Sequence, residues 1–273
     1  MNWMFIPTLV VAFSLYVIGA SIWNHPSSRV AKAALLLISL VLSTPALLFV
    51  LYYLHLFDNA TWFYQFRSLP LSELSAGGIG LFAGLASPLI LNGKRITRPF
   101  YLSMLALVII GPYIKPIIAP LPSSRFHDRW TEGVCLQSTP SSCGAASAAT
   151  LLRKSGINMR EVEIARSCFT YLGGTENWYI ARLFRSQGYD VRFIISHDPS
   201  VPIPIPSIAG VKVGGLGHFI PVIEETSTTY VTGDPLVGRQ EWPKDKLRQN
   251  FTFTGFFMEI HKEAPITQSN GNR

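Results

Sequence analysis

Long apolar runs fill the first 120 residues and leave the backbone there little choice of structure. They cover residues 3–23, 33–54, 74–91 and 100–119, each long enough to cross a bilayer or nearly so. In hydrocarbon every backbone N–H and C=O must be satisfied internally, so such runs become helices. The spacing therefore predicts an all-α bundle of four transmembrane helices over residues 1–120. The first run has no basic lead and no small-residue cleavage site, so it reads as a retained helix, not a cleaved signal. Thr44-Pro45 sits inside the second run, where neighbours can satisfy the freed carbonyl. Gly77, Gly80 and Gly84 line the third and predict close helix packing. Trp62, Phe63, Tyr64 and Phe66, in the connection from Asp58 to Glu73, suit the headgroup layer. Lys115 is placed to snorkel near the end of the fourth run.

The formal charge of +7 does not point to nucleic acid, because the basic residues are scattered. Several sit in short connections between apolar runs: Arg29 and Lys32 in the first, and Lys94, Arg95 and Arg98 in the third. Such loops stay in the cytoplasm. Four spans then put both termini, and whatever follows the bundle, on the periplasmic or extracellular side of a bacterial inner membrane. Were one run not a span, the second half would face the other way.

Residues 121–273 have the composition of a water-soluble domain, long enough for a core of its own. Within them, Cys143 opens a helix-competent segment of small residues followed by Leu151 and Leu152. Pro140 with Ser141 and Ser142 makes a turn before it, and either serine can cap the helix. A thiol in a first helical turn faces unpaired amides and the positive end of the helix dipole, both of which favour the nucleophilic thiolate. Gln137, six residues upstream, can fold its amide back as a neutral oxyanion donor. Asn158 is expected to cap a helix running to about residue 169, and Thr175 a second running to about 187. Strands are expected over 191–195, 207–213, 218–223, 229–232 and 251–260. Helices first and an antiparallel sheet after them make an α+β domain.

His218 stands at the mouth of an apolar strand, behind glycines 214, 215 and 217 that permit close approach of backbone or substrate. Asp234 follows sixteen residues later in a Gly-Asp-Pro turn, where a strand pair can bring it beside His218. A thiolate, an imidazole to exchange the proton and a carboxylate to orient the ring form a nucleophilic set.

Gln137 with Cys143-Gly144, then Gly217-His218-Phe219, then Asp234-Pro235 and Gly238 carry a resemblance. Together with Gly174-Thr175 before a helix, they resemble the papain-like cysteine peptidases that remove double-glycine leaders. Those are best known as the N-terminal domain of bacteriocin exporters. The resemblance spans roughly residues 133–260. It implies a papain-like α+β cysteine peptidase domain with Cys143 as nucleophile, His218 as base and acid, Asp234 as orienter and Gln137 as oxyanion donor. The pattern departs at Ser142, where transporter-linked members often carry an acid, and at Ala145, where many stand-alone relatives have proline. No Gly-x-x-x-x-Gly-Lys-Ser/Thr loop occurs, so no ATPase is expected in this chain.

Cys135 and Cys168 are the remaining cysteines, and an oxidising compartment would permit a disulfide between them that holds the Gln137 loop. No cysteine pair has metal-ligand spacing, so no metal or other cofactor is expected. The leading expectation is a membrane-anchored peptidase acting on a peptide or protein, with lipid as the other partner. A thiol-dependent acyltransferase or amidase on lipid-linked substrates, and a leader-binding module without catalysis, are the alternatives.

Overall fold

The computed structural model describes residues 3–26, 28–56, 59–91 and 97–262. Asp58 and two of the basic residues used for orientation, Lys94 and Arg95, lie outside the described residues. The chain divides into two compact units, Met1–Pro120 and Leu121–Arg273.

The first unit is helical: α1 (Phe5–Asn24), α2 (Arg29–Leu42), α3 (Thr44–Tyr53), α4 (Thr61–Arg67), α5 (Ile79–Leu91), α6 (Arg98–Ile110) and α7 (Ile114–Ile118). Among the described residues, three stretches, Phe5–Asn24, Ser72–Leu91 and Arg98–Ile118, are long and apolar enough to cross a membrane. Helices α2 and α3, bent by 41° at their junction, make a fourth if counted as one span. The bend has a local cause. Pro45 sits in the first turn of α3, where it removes a donor and crowds the preceding turn, and the Ser43 hydroxyl donates to the Ser39 carbonyl at 2.7 Å.

The glycines of the third run act as expected. A methyl group at Gly80 would fall 1.9 Å from the Ala12 carbonyl oxygen, and one at Gly84 would fall 2.2 Å from that of Tyr16. Only bare backbone lets α1 and α5 approach this closely. The aromatic cluster differs from expectation in part. Trp62 is exposed, but Phe63 and Tyr64 turn inward, Phe63 stacking on Tyr52 with ring centres 5.1 Å apart.

The second unit is α+β. Its six-stranded antiparallel sheet comprises β3 (Tyr189–Ile195), β4 (Ser207–Val213), β5 (Leu216–Glu225), β6 (Thr229–Asp234), β7 (Gly238–Pro243) and β8 (Thr252–Lys262). The order across the sheet is β3-β8-β4-β5-β6-β7. A short hairpin, β1 (Arg129–Thr131) with β2 (Val134–Leu136), precedes it. Helix α8 (Cys143–Lys154) packs on β5 and β2, and its Ala145, Ala146, Ala148 and Ala149 are fully buried. Successive strand residues face opposite sides. Phe219 therefore lies toward α8, while Ile220 and Val222 join Val211, Ile203 and Phe257 in a core closed by Leu247 of α11 (Lys244–Asn250).

Helix α9 (Glu161–Ser167) starts three residues after Asn158, because Glu163 reaches back to the Arg160 N–H at 2.9 Å. Helix α10 (Asn177–Ser186) starts after Glu176, and Thr175 shares its hydroxyl with Thr170 at 2.8 Å instead of capping. Replacing Ile220 by alanine should cost about 2–5 kcal/mol in denaturant titration of the detergent-solubilised chain. A loss below about 1 kcal/mol would contradict its place in this core.

Candidate active site

Cys143 is the first residue of α8. The turn before it is closed by Ser142, which is fully buried. Its hydroxyl accepts from the Thr139 N–H and donates to the Thr139 carbonyl, both at 3.0 Å. Neither serine therefore caps α8 as expected: Ser142 folds back on Thr139, and the Ser141 hydroxyl donates to the Leu172 carbonyl. The leading amides of α8 stay free of a side-chain cap, beside the sulfur.

The helix start is fixed by one hydrogen bond to the histidine strand and by close packing on its other neighbours. Ser147, one turn into α8, donates to the Phe219 carbonyl at 3.0 Å. A methyl group at Gly144 would meet Ile180 at 3.0 Å, Thr175 at 3.2 Å and the Phe219 ring at 3.4 Å. Glycine next to the cysteine thus sets how closely α8 approaches Thr175 and, in α10, Ile180.

No neighbouring backbone packs against the glycines before His218. A side chain at any of the three would meet nothing within 4 Å, and Gly214 and Gly215 take φ of +56° and +82°. They form the two-residue hairpin turn between β4 and β5, a conformation that L side chains avoid. That turn sets His218 opposite Val211. Asp234 ends β6, and Thr232 pairs with Val222. By the two-residue period His218 and Asp234 then share a strand face.

The two side chains meet: His218 Nε2 donates to Asp234 Oδ1 at 2.9 Å, with both groups buried. The same carboxylate oxygen accepts the Leu236 N–H at 2.8 Å, which holds it in a turn closed by Val237 N–H to the Asp234 carbonyl at 3.1 Å. Cys143 lies close enough to the His218 ring to act on its protonation. Burial pulls the imidazole's pKa down, but Asp234, through its hydrogen bond and charge, and Cys143 outweigh it, and it is pushed up to about 9.

Gln137 lies at the end of β2, its main-chain N–H donating to the Pro235 carbonyl at 2.9 Å. Its side-chain Nε2 donates to the Thr139 carbonyl at 2.9 Å, within the turn that precedes Cys143. Its Oε1 is buried without a hydrogen-bond partner.

The disulfide expected between Cys135 and Cys168 does not form; all three cysteines are free and buried. The Cys135 N–H donates to Thr150 on α8 at 3.0 Å, whereas the Cys168 sulfur lies 3.5 Å from the Tyr179 carbonyl. Burial pushes both thiols well up, for Cys135 with help from Glu161 and Asp128, so they stay protonated and unreactive. A carboxylate replaces the staple. Glu161, fully buried, accepts the Ser138 N–H at 2.9 Å and the Ser138 hydroxyl. Ser138 in turn accepts the His127 N–H at 2.9 Å. Sequence reasoning missed this clamp, since a glutamate in a first helical turn looks like ordinary dipole chemistry.

A family model described as the Peptidase C39 family matches residues 123–264. That is 142 of the 273 residues, just over half of the chain. The chain belongs to the Peptidase C39 family. An uncharacterized protein of Methanothermobacter marburgensis is 27% identical over 132 residues, 48% of this chain and 90% of the relative. Among solved structures, the peptidase domain of Streptococcus ComA, a bifunctional ABC transporter involved in quorum sensing, is similar. It is 20% identical with a TM-score of 0.39, covering 47% of this chain and 96% of that domain. A double-glycine-motif protease from an AMS/PCAT transporter, solved with the leader peptide, is 18% identical with a TM-score of 0.41, covering 51% and 96%. The Peptidase C39 match makes this a cysteine-peptidase domain of α+β fold, preceded by apolar helices.

The raised pKa of His218 has a consequence for stability. An imidazole at about 9 when folded, against an ordinary 6.5, favours the folded state fully below pH 6.5 and loses that contribution as pH rises through about 9. Melting temperature should fall across that window more steeply in the parent than in His218→Ala. Parallel curves would contradict the His218 assignment.

Proposed function

We propose that this chain is a membrane-anchored cysteine peptidase that cuts a peptide or protein at the outer face of the membrane. The observation that carries the reading is the buried His218 ring bonded to Asp234 at 2.9 Å, with Cys143, at the start of a helix, acting on the same ring. In this reading the proton of the pair rests on the imidazole, and the Cys143 thiolate attacks the scissile carbonyl. The carbonyl π electrons move to oxygen, giving a tetrahedral oxyanion. Gln137 faces that oxygen with the N–H it does not spend on Thr139, since a primary amide carries two. His218 gives its proton to the leaving amine, the C–N bond breaks, and the acyl group stays on sulfur. Water then attacks, His218 takes its proton, and the acid leaves as the thiolate returns. Asp234 holds the ring in one orientation and offsets its charge.

A peptide substrate is supported by membership of the Peptidase C39 family. Membrane anchoring is supported by the three or four helices of sufficient length and apolarity. The outward orientation rests on Arg29, Lys32, Lys94, Arg95 and Arg98 in the first and third connections together with a count of four spans.

Cys143→Ala should abolish turnover, and Gln137→Ala should lower kcat by about 10²–10³-fold, the usual worth of one oxyanion donor. Both are read as release of a cut peptide by the reconstituted chain; full activity in Cys143→Ala refutes the assignment. A dual reporter fused after Arg273 should be active only outside the cytoplasm, and a purely cytoplasmic signal overturns the orientation.

A further inference from the structure

Among the described residues, the large apolar side chains exposed on the second unit are Leu172, Val213, Leu216, Leu236, Val237 and Val201. All but Val201 stand beside the proposed catalytic residues. Leu216 is two residues before His218, and Val213 lies across the Gly214-Gly215 turn from it. Leu236 and Val237 form the turn that holds Asp234. The Leu172 carbonyl accepts from Ser141, two residues before Cys143. Their exposure is high, 76% for Leu216 and 63% for Val237.

Strands β4 to β7 are antiparallel neighbours, so the β4–β5 and β6–β7 turns fall at the same end of the sheet. Four of the five residues are on these two tips. Soluble proteins rarely gather exposed apolar side chains in one place without a partner. Lys212, exposed and next to Val213, adds a positive charge at the rim.

The path of the chain selects the partner. The last long apolar stretch ends at Ile118. The His127 N–H is bonded to Ser138, the neighbour of Gln137. Only residues 119–126 lie between, and Ser123–Arg125 is a 3₁₀ turn. Even fully extended, that connection reaches no more than about 30 Å. The unit that carries the site is therefore tethered to the apolar stretch by a short connection.

We propose that this apolar collar seats in the interfacial layer of the bilayer, so that Cys143 works at the membrane surface on polypeptide presented there. Hairpin tips of leucine and valine with a flanking lysine fit a surface of acyl chains beneath anionic headgroups. The proposal rests on the reading of the N-terminal helices as spans.

The test uses the full chain in vesicles of phosphatidylethanolamine and phosphatidylglycerol. Leu216, Leu236, Val237 and, as control, Val201 are replaced one at a time by photo-crosslinking p-benzoylphenylalanine. The expected result is lipid adducts at the first three positions and none at Val201, in protein that floats with the vesicles after alkaline carbonate. Protein that floats but gives no lipid adducts at the three tips, or equal yield at Val201, overturns the proposal and assigns the collar to polypeptide. Protein that fails to float overturns the spanning reading itself, and the collar proposal with it.

Discussion

The arrangement around Cys143 depends on how the His218 ring is held. Asp234 takes Nε2 at 2.9 Å, and Cys143 acts on the same ring. The carboxylate is itself immobilised by the Leu236 N–H, so the ring direction is inherited from a backbone turn and not from a flexible side chain. Two buried groups in hydrogen bond also avoid the cost that either would carry alone. Remove the turn and the imidazole loses its orientation; remove the carboxylate and its raised pKa loses the first cause that opposes burial.

Three remote segments have to meet for this, and each junction is a short polar contact across a packed surface. Ser147 ties α8 to the backbone next to His218, Gln137 is tied to the backbone next to Asp234, and Glu161 ties the intervening loop to α9. These contacts sit between an alanine-rich helix and a glycine-bearing strand pair. A methyl group at Gly233 would fall 2.9 Å from Ile223 and 3.0 Å from Val134, so β2 reaches β6 only over bare backbone. Small residues set the distances, and hydrogen bonds then fix the register.

Much of this was legible in the chain because it is local. Apolar length marked the helices of the first unit, and the strand expected over 207–213 matched β4 residue for residue. Cys143 at a helix start and Asp234 at a strand end follow from neighbours in sequence. What escaped was non-local or polar. β7, Gly-Arg-Gln-Glu-Trp-Pro, has no apolar alternation and is a strand because β6 lends it partners. α11 offers one buried residue, Leu247, to the core. The Cys135–Cys168 pairing failed for a similar reason: Cys135 is tied to α8 through its N–H and the Cys168 sulfur lies against α10, and nothing in their spacing says so. Glu161 was unreadable because its partner, Ser138, is twenty-three residues away.

Peptidase C39 membership supplies the chemistry class, and the geometry of His218 supplies its direction. A covalent acyl group on one sulfur is the point at which cutting, acyl transfer and mere binding part company. The decisive measurement is intact-mass and peptide mass spectrometry of the full chain after rapid acid quench with a peptide substrate. The account predicts a peptidyl adduct on Cys143 alone, lost in Cys143→Ala and absent from Cys135 and Cys168. A fatty-acyl adduct at Cys143, an adduct on either other cysteine, or cleavage without any adduct would contradict it.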